Sequence, residues 1–359
     1  MYGHSHTKHT SKLKNWIDRY GVMSVVVLLV LGGGAGVYAL TQPTEAPLTE
    51  QRLEQATTTR DEEPPEPSTE PAPLTGFEVE PEEARRPFTA VLIENSPNAR
   101  PQTGLDAADI VFEAVSEGGI TRYMGIYHYD LPEQAGPVRS MRPYFVDWVM
   151  GFDAPIAHVG GSAEALDMLA NRGAKDLDQF DYAGPYSRSG SRPAPHNMYV
   201  NMSQLRDLQH DLGYDSSNIT DFVWQDKSGE EAVTATDIDI DYSSSQYRAR
   251  FRYDEDNNHY LRYLAGNPHI DNATDQQISV NNLVVVYMPT SQEGQYAVMD
   301  TIGEGNAKVF NDGVVTEGEW RQASYNERLK VVDSEGKQIP LNRGDTWIAI
   351  VPDDRDVSY

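Results

Sequence analysis

Two segments hold the residue types that could do chemistry: Gly136-Pro-Val-Arg139-Ser-Met-Arg142-Pro-Tyr144 and Arg188-Ser-Gly-Ser-Arg192-Pro-Ala-Pro-His196-Asn197. Arginine forks on proline-stiffened, glycine-flanked loops suit planar recognition of phosphate or carboxylate, because little ordering entropy remains to be lost on binding. The chain has 359 residues, with 55 acidic against 29 basic side chains and a formal net charge of -26. Against that background, arginines gathered in two loops point to an anionic ligand. Arg139, Arg142, Arg192 and His196, together with His158 and Arg122, are expected to line one site. For any single arginine an internal ion pair or a carbonyl clamp is the plainer explanation, and a cross-strand ion pair accounts for Arg122 equally well.

Catalysis would need a proton carrier, and His196 and Glu117 are the candidates. A loop histidine beside arginines can act as general acid or base, though loop histidines held by backbone partners are commoner. Glu94, Glu113 and Glu117 form a set of carboxylates that could work on a glycan in pairs. The favoured reading is that they neutralise Arg122 and Arg139. Ser140 and Ser162 lack a nucleophile-elbow pattern, no P-loop or dinucleotide fingerprint occurs, and so strongly acidic a chain is a poor nucleic-acid binder. There is no cysteine, which excludes disulfides, thiolate metal sites and lipidation of an N-terminal cysteine. No cofactor or metal is expected; His4, His6 and His9 read as a solvated tract.

These residues must be positioned by the segments around them. Apart from Ser24, residues 22–40 are apolar or glycine, and all are without charge, close to the roughly 20 residues that span a bilayer core. Lys8, Lys12, Lys14 and Arg19 precede them, so the positive-inside rule places a tail (1–20) in the cytoplasm, a single-pass anchor at 21–40, and the rest outside. The length of the apolar run and the poor Tyr38-Ala39-Leu40 cleavage site favour an uncleaved anchor over a signal peptide. Residues 41–86, rich in Pro, Glu and Thr, cannot bury enough apolar surface to fold and read as an extended stalk.

The expected fold class is a mixed α+β (α/β) domain over 87–227 followed by a β-rich domain over 228–359. Strands are predicted at 88–94, 110–117, 121–129, 155–159, 247–253, 259–264, 282–288 and 346–351. Helices are predicted at 143–150, 162–170 with Ser162 as N-cap and Gly173 as stop, and 203–212. If Gly118-Gly119 is a two-residue hairpin loop, Val115 faces Arg122, which then lies diagonal to Glu113 and Glu117.

Gly118-Gly-Ile-Thr-Arg-Tyr123, the Gly136–Tyr144 segment, His158-Val-Gly-Gly-Ser162 and Ala194-Pro-His-Asn-Met-Tyr199 occur in an order that resembles the YerB-like family of bacterial envelope proteins. Gly266-Asn-Pro-His-Ile-Asp271, Glu317-Gly-Glu-Trp320 and Gly344-Asp-Thr-Trp-Ile348 are similar to that family's C-terminal domain. The resemblance implies an envelope location and two domains, and brings no established activity. Motif order alone also loosely resembles the LytR-CpsA-Psr phosphotransferases, whose arginines hold a polyprenyl pyrophosphate. Three functions follow as expectations. The first is a membrane-anchored extracytoplasmic protein binding an anionic envelope polymer or lipid-linked precursor; the others are a glycopolymer phosphotransferase or hydrolase using the same cleft, and a structural interaction module. Protein partners are not legible.

Overall fold

The apolar runs align in one ten-stranded sheet in the computed structural model, which describes residues 68–227 and 232–359. In chain order its strands are β1 (Thr89–Glu94), β2 (Ile110–Val115), β3 (Thr121–Tyr127), β4 (Ile156–His158), β5 (Asp176–Asp178), β6 (Asn282–Met288), β7 (Gly303–Asn311), β8 (Val314–Gln322), β9 (Lys330–Val332) and β10 (Thr346–Pro352). Across the sheet they run β9-β8-β7-β6-β10-β2-β3-β1-β4-β5. β10 lies parallel to β6 on one side and to β2 on the other, pairing Thr346 with Ile110 through Ile350 with Ala114. A strand buried on both faces needs an unbroken apolar run, and Trp347-Ile-Ala-Ile-Val351 supplies it. The two halves expected as separate domains thus contribute adjacent strands to one sheet.

Three helices matter for the site: α1 (Pro143–Gly151), α2 (Ala163–Arg172) and α3 (Met202–Asp211). Their ends follow from their caps. Ser162 Oγ accepts from the Ala165 N–H at 3.2 Å, Gly173 closes α2 at a φ of 66°, and Asn201 Oδ1 accepts from Gln204 N–H at 2.9 Å. α1 buries Trp148, which stacks on Phe112 of β2 with ring centroids 5.4 Å apart. Six further C-terminal strands, among them Asp237–Ile240, Ala249–Asp254 and His259–Leu264, form a separate antiparallel sheet. His259–Leu264 alternates buried and half-buried residues, as a sheet packed on one face requires. The described structure is therefore mostly sheet with few helices.

Three expectations need comment. The tail and anchor, residues 1–40, lie outside the described residues, as does the stalk up to residue 67; among the described residues no helix is long and apolar enough to cross a membrane. Within the span expected as stalk, Glu70–Pro71 pairs with Glu78–Val79 and Leu74 is fully buried, so this part joins the folded unit. The β2–β3 hairpin is one residue out of the expected register: Val115 pairs with Thr121 and Ala114 with Arg122. The Ser116 N–H donates to the Ile120 carbonyl at 2.7 Å, so the loop has three residues, Glu117, Gly118 and Gly119. Both glycines take positive φ, 59° and 78°, which the loop demands whichever register it closes.

Candidate functional site

β1 ends at Glu94, β2 ends just before Ser116 and Glu117, and β3 opens with Thr121 and Arg122, so antiparallel pairing brings these groups to one end of the sheet. The first arginine loop is fastened to β1 there. The Glu94 N–H donates to the Pro137 carbonyl at 2.8 Å and the Arg139 N–H to the Leu92 carbonyl at 2.9 Å. The second loop is fastened to the first: the Val138 N–H donates to the Met198 carbonyl at 2.6 Å. Gly136 sits where they cross. A Cβ there would lie 2.9 Å from the Met198 carbonyl and from the Tyr199 ring, and its φ of 151° disfavours side chains.

Two carboxylates organise the charges. Glu94 is buried, and its Oε1 accepts from Ser96 Oγ at 2.6 Å, His196 Nδ1 at 2.8 Å and Arg139 Nη2 at 2.9 Å, while its Oε2 has no partner. Glu117 accepts from Arg122 Nη2 at 2.5 Å through Oε1, and from Ser116 Oγ at 2.6 Å and Arg142 Nη2 at 3.0 Å through Oε2. Burial alone would raise the Glu117 carboxyl, but Arg122, the Ser116 hydroxyl and Arg142 outweigh it and hold it at about 2. Arg142, in turn, is pushed down by burial and by its neighbour Arg122. The clusters adjoin, because Arg122 Nη1 also donates to the Ser140 carbonyl between Arg139 and Arg142 at 2.8 Å.

Of the expected ligand residues, Arg139 with His196 and Arg122 with Arg142 are thus brought together, each pair around one of the carboxylates expected to neutralise Arg122 and Arg139. Arg192 and His158 do not join them. Arg192 clamps backbone, donating to the Ala99 carbonyl and, at 2.6 Å, to that of Pro101. His158 is fully buried, with Nε2 2.8 Å from Asp176 and Nδ1 2.9 Å from the Gly160 carbonyl. Both nitrogens act as donors in that arrangement; although burial opposes it, the hydrogen bond and charge of Asp176, aided by Asp178, raise the histidine above its ordinary value. Glu113 is taken by Arg262 and not by Arg122, at 2.7 Å. Ser96, read from the sequence only as part of a polar turn, was missed; its one signal was a hydroxyl two residues beyond a strand-end glutamate.

What remains available is narrow. Arg139 and His196 keep 23% and 19% of their side chains exposed. Among the described residues, nothing else hydrogen-bonds the remaining Arg139 nitrogens or His196 Nε2. A cavity of about 320 Å³ opens beside Arg142, lined also by Tyr144, Ser162, Arg172 and Tyr296, with Arg142 5.0 Å over the Tyr296 ring. Among the described residues, no group of three or more His, Asp or Glu side chains is arranged to hold a metal ion.

Comparison with known proteins matches residues 74–215 to the family described as "Protein of unknown function (DUF3048) N-terminal domain" and residues 238–348 to its C-terminal domain. The chain belongs to the DUF3048 family. It is 33% identical over 289 residues, 79% of its length, to "Putative lipoprotein YerB" of Bacillus subtilis (strain 168), covering 86% of that protein. The crystal structure of YerB from Bacillus subtilis superposes with a TM-score of 0.73 at 31% identity, covering 80% of this chain and 99% of that one. The family boundary near residues 215–238 falls between the α3 region and the six-stranded sheet, so the DUF3048 division follows sequence while the central sheet crosses it.

Proposed function

We propose that this DUF3048 protein is held at the outer face of a membrane and binds an anionic, phosphate- or carboxylate-bearing envelope component through Arg139 and His196. One observation carries the reading. Glu94 fixes a donor from each of two loops distant in sequence, leaving the outward edges of both side chains unengaged. A guanidinium oriented by a buried carboxylate is pre-organised for a second, external oxyanion. The relative's name supports placement at a membrane; as this chain has no cysteine to carry a lipid, residues 22–40 would supply the anchor.

The same geometry supports a second reading. A neutral His196 whose Nδ1–H is held by Glu94 offers Nε2 as an acceptor, the arrangement of an oriented general base, whereas the imidazolium donates there to an anion. Glycopolymer phosphotransfer or hydrolysis would use the first form and simple binding the second.

Titration of the full-length chain with anionic wall polymer and with a polyprenyl phosphate separates these readings. Binding should weaken with salt and fall about tenfold or more in Arg139→Gln and His196→Gln, the loss expected for one charge-assisted hydrogen bond. No affinity, or affinity unchanged in both variants, leaves a structural interaction module whose arginines serve internal pairing. Turnover lost in His196→Gln at unchanged Tm establishes the catalytic reading, and stoichiometric binding without product removes it.

A further inference from the structure

Parallel pairing sets two acids side by side at the end of the sheet away from Glu117. Thr346 of β10 lies opposite Ile110 of β2, so the residues just before them, Asp345 and Asp109, enter together, and the Thr346 N–H donates to the Asp109 carbonyl at 3.0 Å. The turn from Ala72 to Phe77 is fastened beside them. The Ala72 N–H donates to the Phe77 carbonyl at 2.7 Å, and the Gly344 N–H to the Thr75 carbonyl at 2.8 Å. β3 ends at Tyr127, which brings Tyr129 and Asp130 to the same place. Phe77, Asp106, Asp109, Tyr129, Asp130 and Asp345 line a cavity of about 400 Å³.

Among the described residues, none of these four aspartates has a Lys or Arg side chain within ion-pair distance. Asp345 is half-buried, and its carboxyl has neither a hydrogen bond nor an ion pair there. Burial, then the charges of Asp109, Asp106 and Asp130, push it well above its ordinary value. Asp109 is 7% exposed; its Oδ2 accepts from the His128 N–H at 2.6 Å, and no other described residue donates to its Oδ1. Burial raises it to about 7, with Asp130 adding to the effect and the His128 hydrogen bond opposing it. Asp106 is raised by burial as well, against a hydrogen bond from Thr274 at 3.2 Å.

The cations nearby do not meet this charge. Arg343 reaches Glu78 on the rim at 3.6 Å and Asp226 at 3.1 Å. Arg206 acts on Asp109 less than burial, the hydrogen bonds and Asp130 do. Arg86 lies 5.8 Å over the Tyr129 ring, and His128, held near 4 by burial, is neutral. Like charges gathered away from water are costly unless a proton or a cation meets them. A proton would not account for the aromatic walls: Phe77 is 51% exposed and Tyr129 39%, on the cavity that the carboxylates share, and Phe77 has no ring partner among the described residues. Aromatic faces beside carboxylates suit an organic cation. A bare metal ion needs oxygens converging at bonding distance, and no three described acids are so arranged.

We propose that the cavity bounded by Phe77, Tyr129, Asp109 and Asp345 binds an alkylammonium group, either a free amine or the side chain of a lysine. The ammonium lies against the carboxylates and its carbon chain against the rings. The site is separate from the Glu94 and Glu117 clusters, which lie at the other end of β1 and β2.

The full-length chain is titrated with butylammonium chloride, N-acetyl-lysine methylamide, butanol and calcium chloride, reading heat, released protons and the Phe77 ring resonances. Expected is saturable binding of both amines that shifts those resonances and releases protons. It should strengthen between about pH 6 and 8, because a cation in contact pulls the raised carboxyls back towards their ordinary value. Affinity should fall about tenfold or more in Asp345→Asn and about two- to fivefold in Phe77→Ala. Whichever amine binds more tightly names the source, a free amine or a lysine side chain; either supports the proposal. Phe77 is exposed, so Phe77→Ala decides the matter even if Asp345→Asn fails to fold. Binding that does not saturate, butanol binding as tightly as butylammonium, calcium displacing the amines, or affinity unchanged in Phe77→Ala overturns the proposal.

Discussion

Glu94 holds Arg139 and His196, and Glu117 shares one negative charge between the guanidinium groups of Arg122 and Arg142, each pair drawn from different segments. That sharing has a pH signature. The carboxyl is held at about 2 in the fold against 4.5 ordinarily, a difference worth roughly 3 kcal/mol at neutral pH. A depressed carboxylate contributes stability that is fully present above its unfolded value and is lost as pH falls through its folded value. Urea midpoints of the native chain and of Glu117→Gln should therefore stay far apart above about pH 5.5 and approach each other between about 4.5 and 2. A gap that does not change with pH would mean that the two arginines do not hold Glu117.

At the level of elements, a long-range contact joins Glu113 of β2 to Arg262. Arg262 is fully buried and makes its ion pair with Glu113 while stacking 4.3 Å from the Trp347 ring of β10. Trp347 Nε1 and Thr121 Oγ1 also donate to Glu113, at 3.2 and 2.8 Å. His269, driven well below its ordinary value by burial and then by Arg262 and Arg100, stays neutral, accepting from Arg262 at Nδ1 and donating through Nε2 to Gln102 at 2.8 Å. Removing one member of a buried pair leaves an uncompensated charge, so Arg262→Met should cost about 3–5 kcal/mol, and adding Glu113→Gln should restore part of it. Denaturant unfolding reads both, and a loss below about 1 kcal/mol in the single variant would show that the pair does not lock the sheets.

Sequence reading succeeded on elements whose signals are local. The runs at 282–288 and 346–351 were legible from apolar content, and α2 from Ser162 and Gly173. The neutralisation of Arg122 by Glu117 was legible too, since both lie on one hairpin. The register of that hairpin was not, because Gly118-Gly119 suits a two-residue loop as well as the three-residue one that forms. Nor was the claim of Arg262 on Glu113, which spans 149 positions and has no local signature. Arg192 and His158 were drawn into the expected site by residue type and loop position, and tertiary contacts gave them carbonyl and carboxylate partners elsewhere.

Across the molecule, the two family segments are bound through β10, which pairs with β2 from the first half and β6 from the second. Residues 68–227 expressed alone would leave β2 without its neighbour and Glu113 buried without Arg262. That fragment should lack the dispersed amide spectrum and cooperative melting of the whole chain. Native-like dispersion in the isolated fragment would show that the first half closes its own core.

β10 also comes after every other strand of the central sheet. As the chain is made, β2 keeps a bare edge of backbone donors and acceptors until residues 346–352 arrive to cover it, and such an edge readily recruits strands from other molecules. A ribosome that stops early, or a protease that cuts between β6 and β10, would therefore release a product prone to clump.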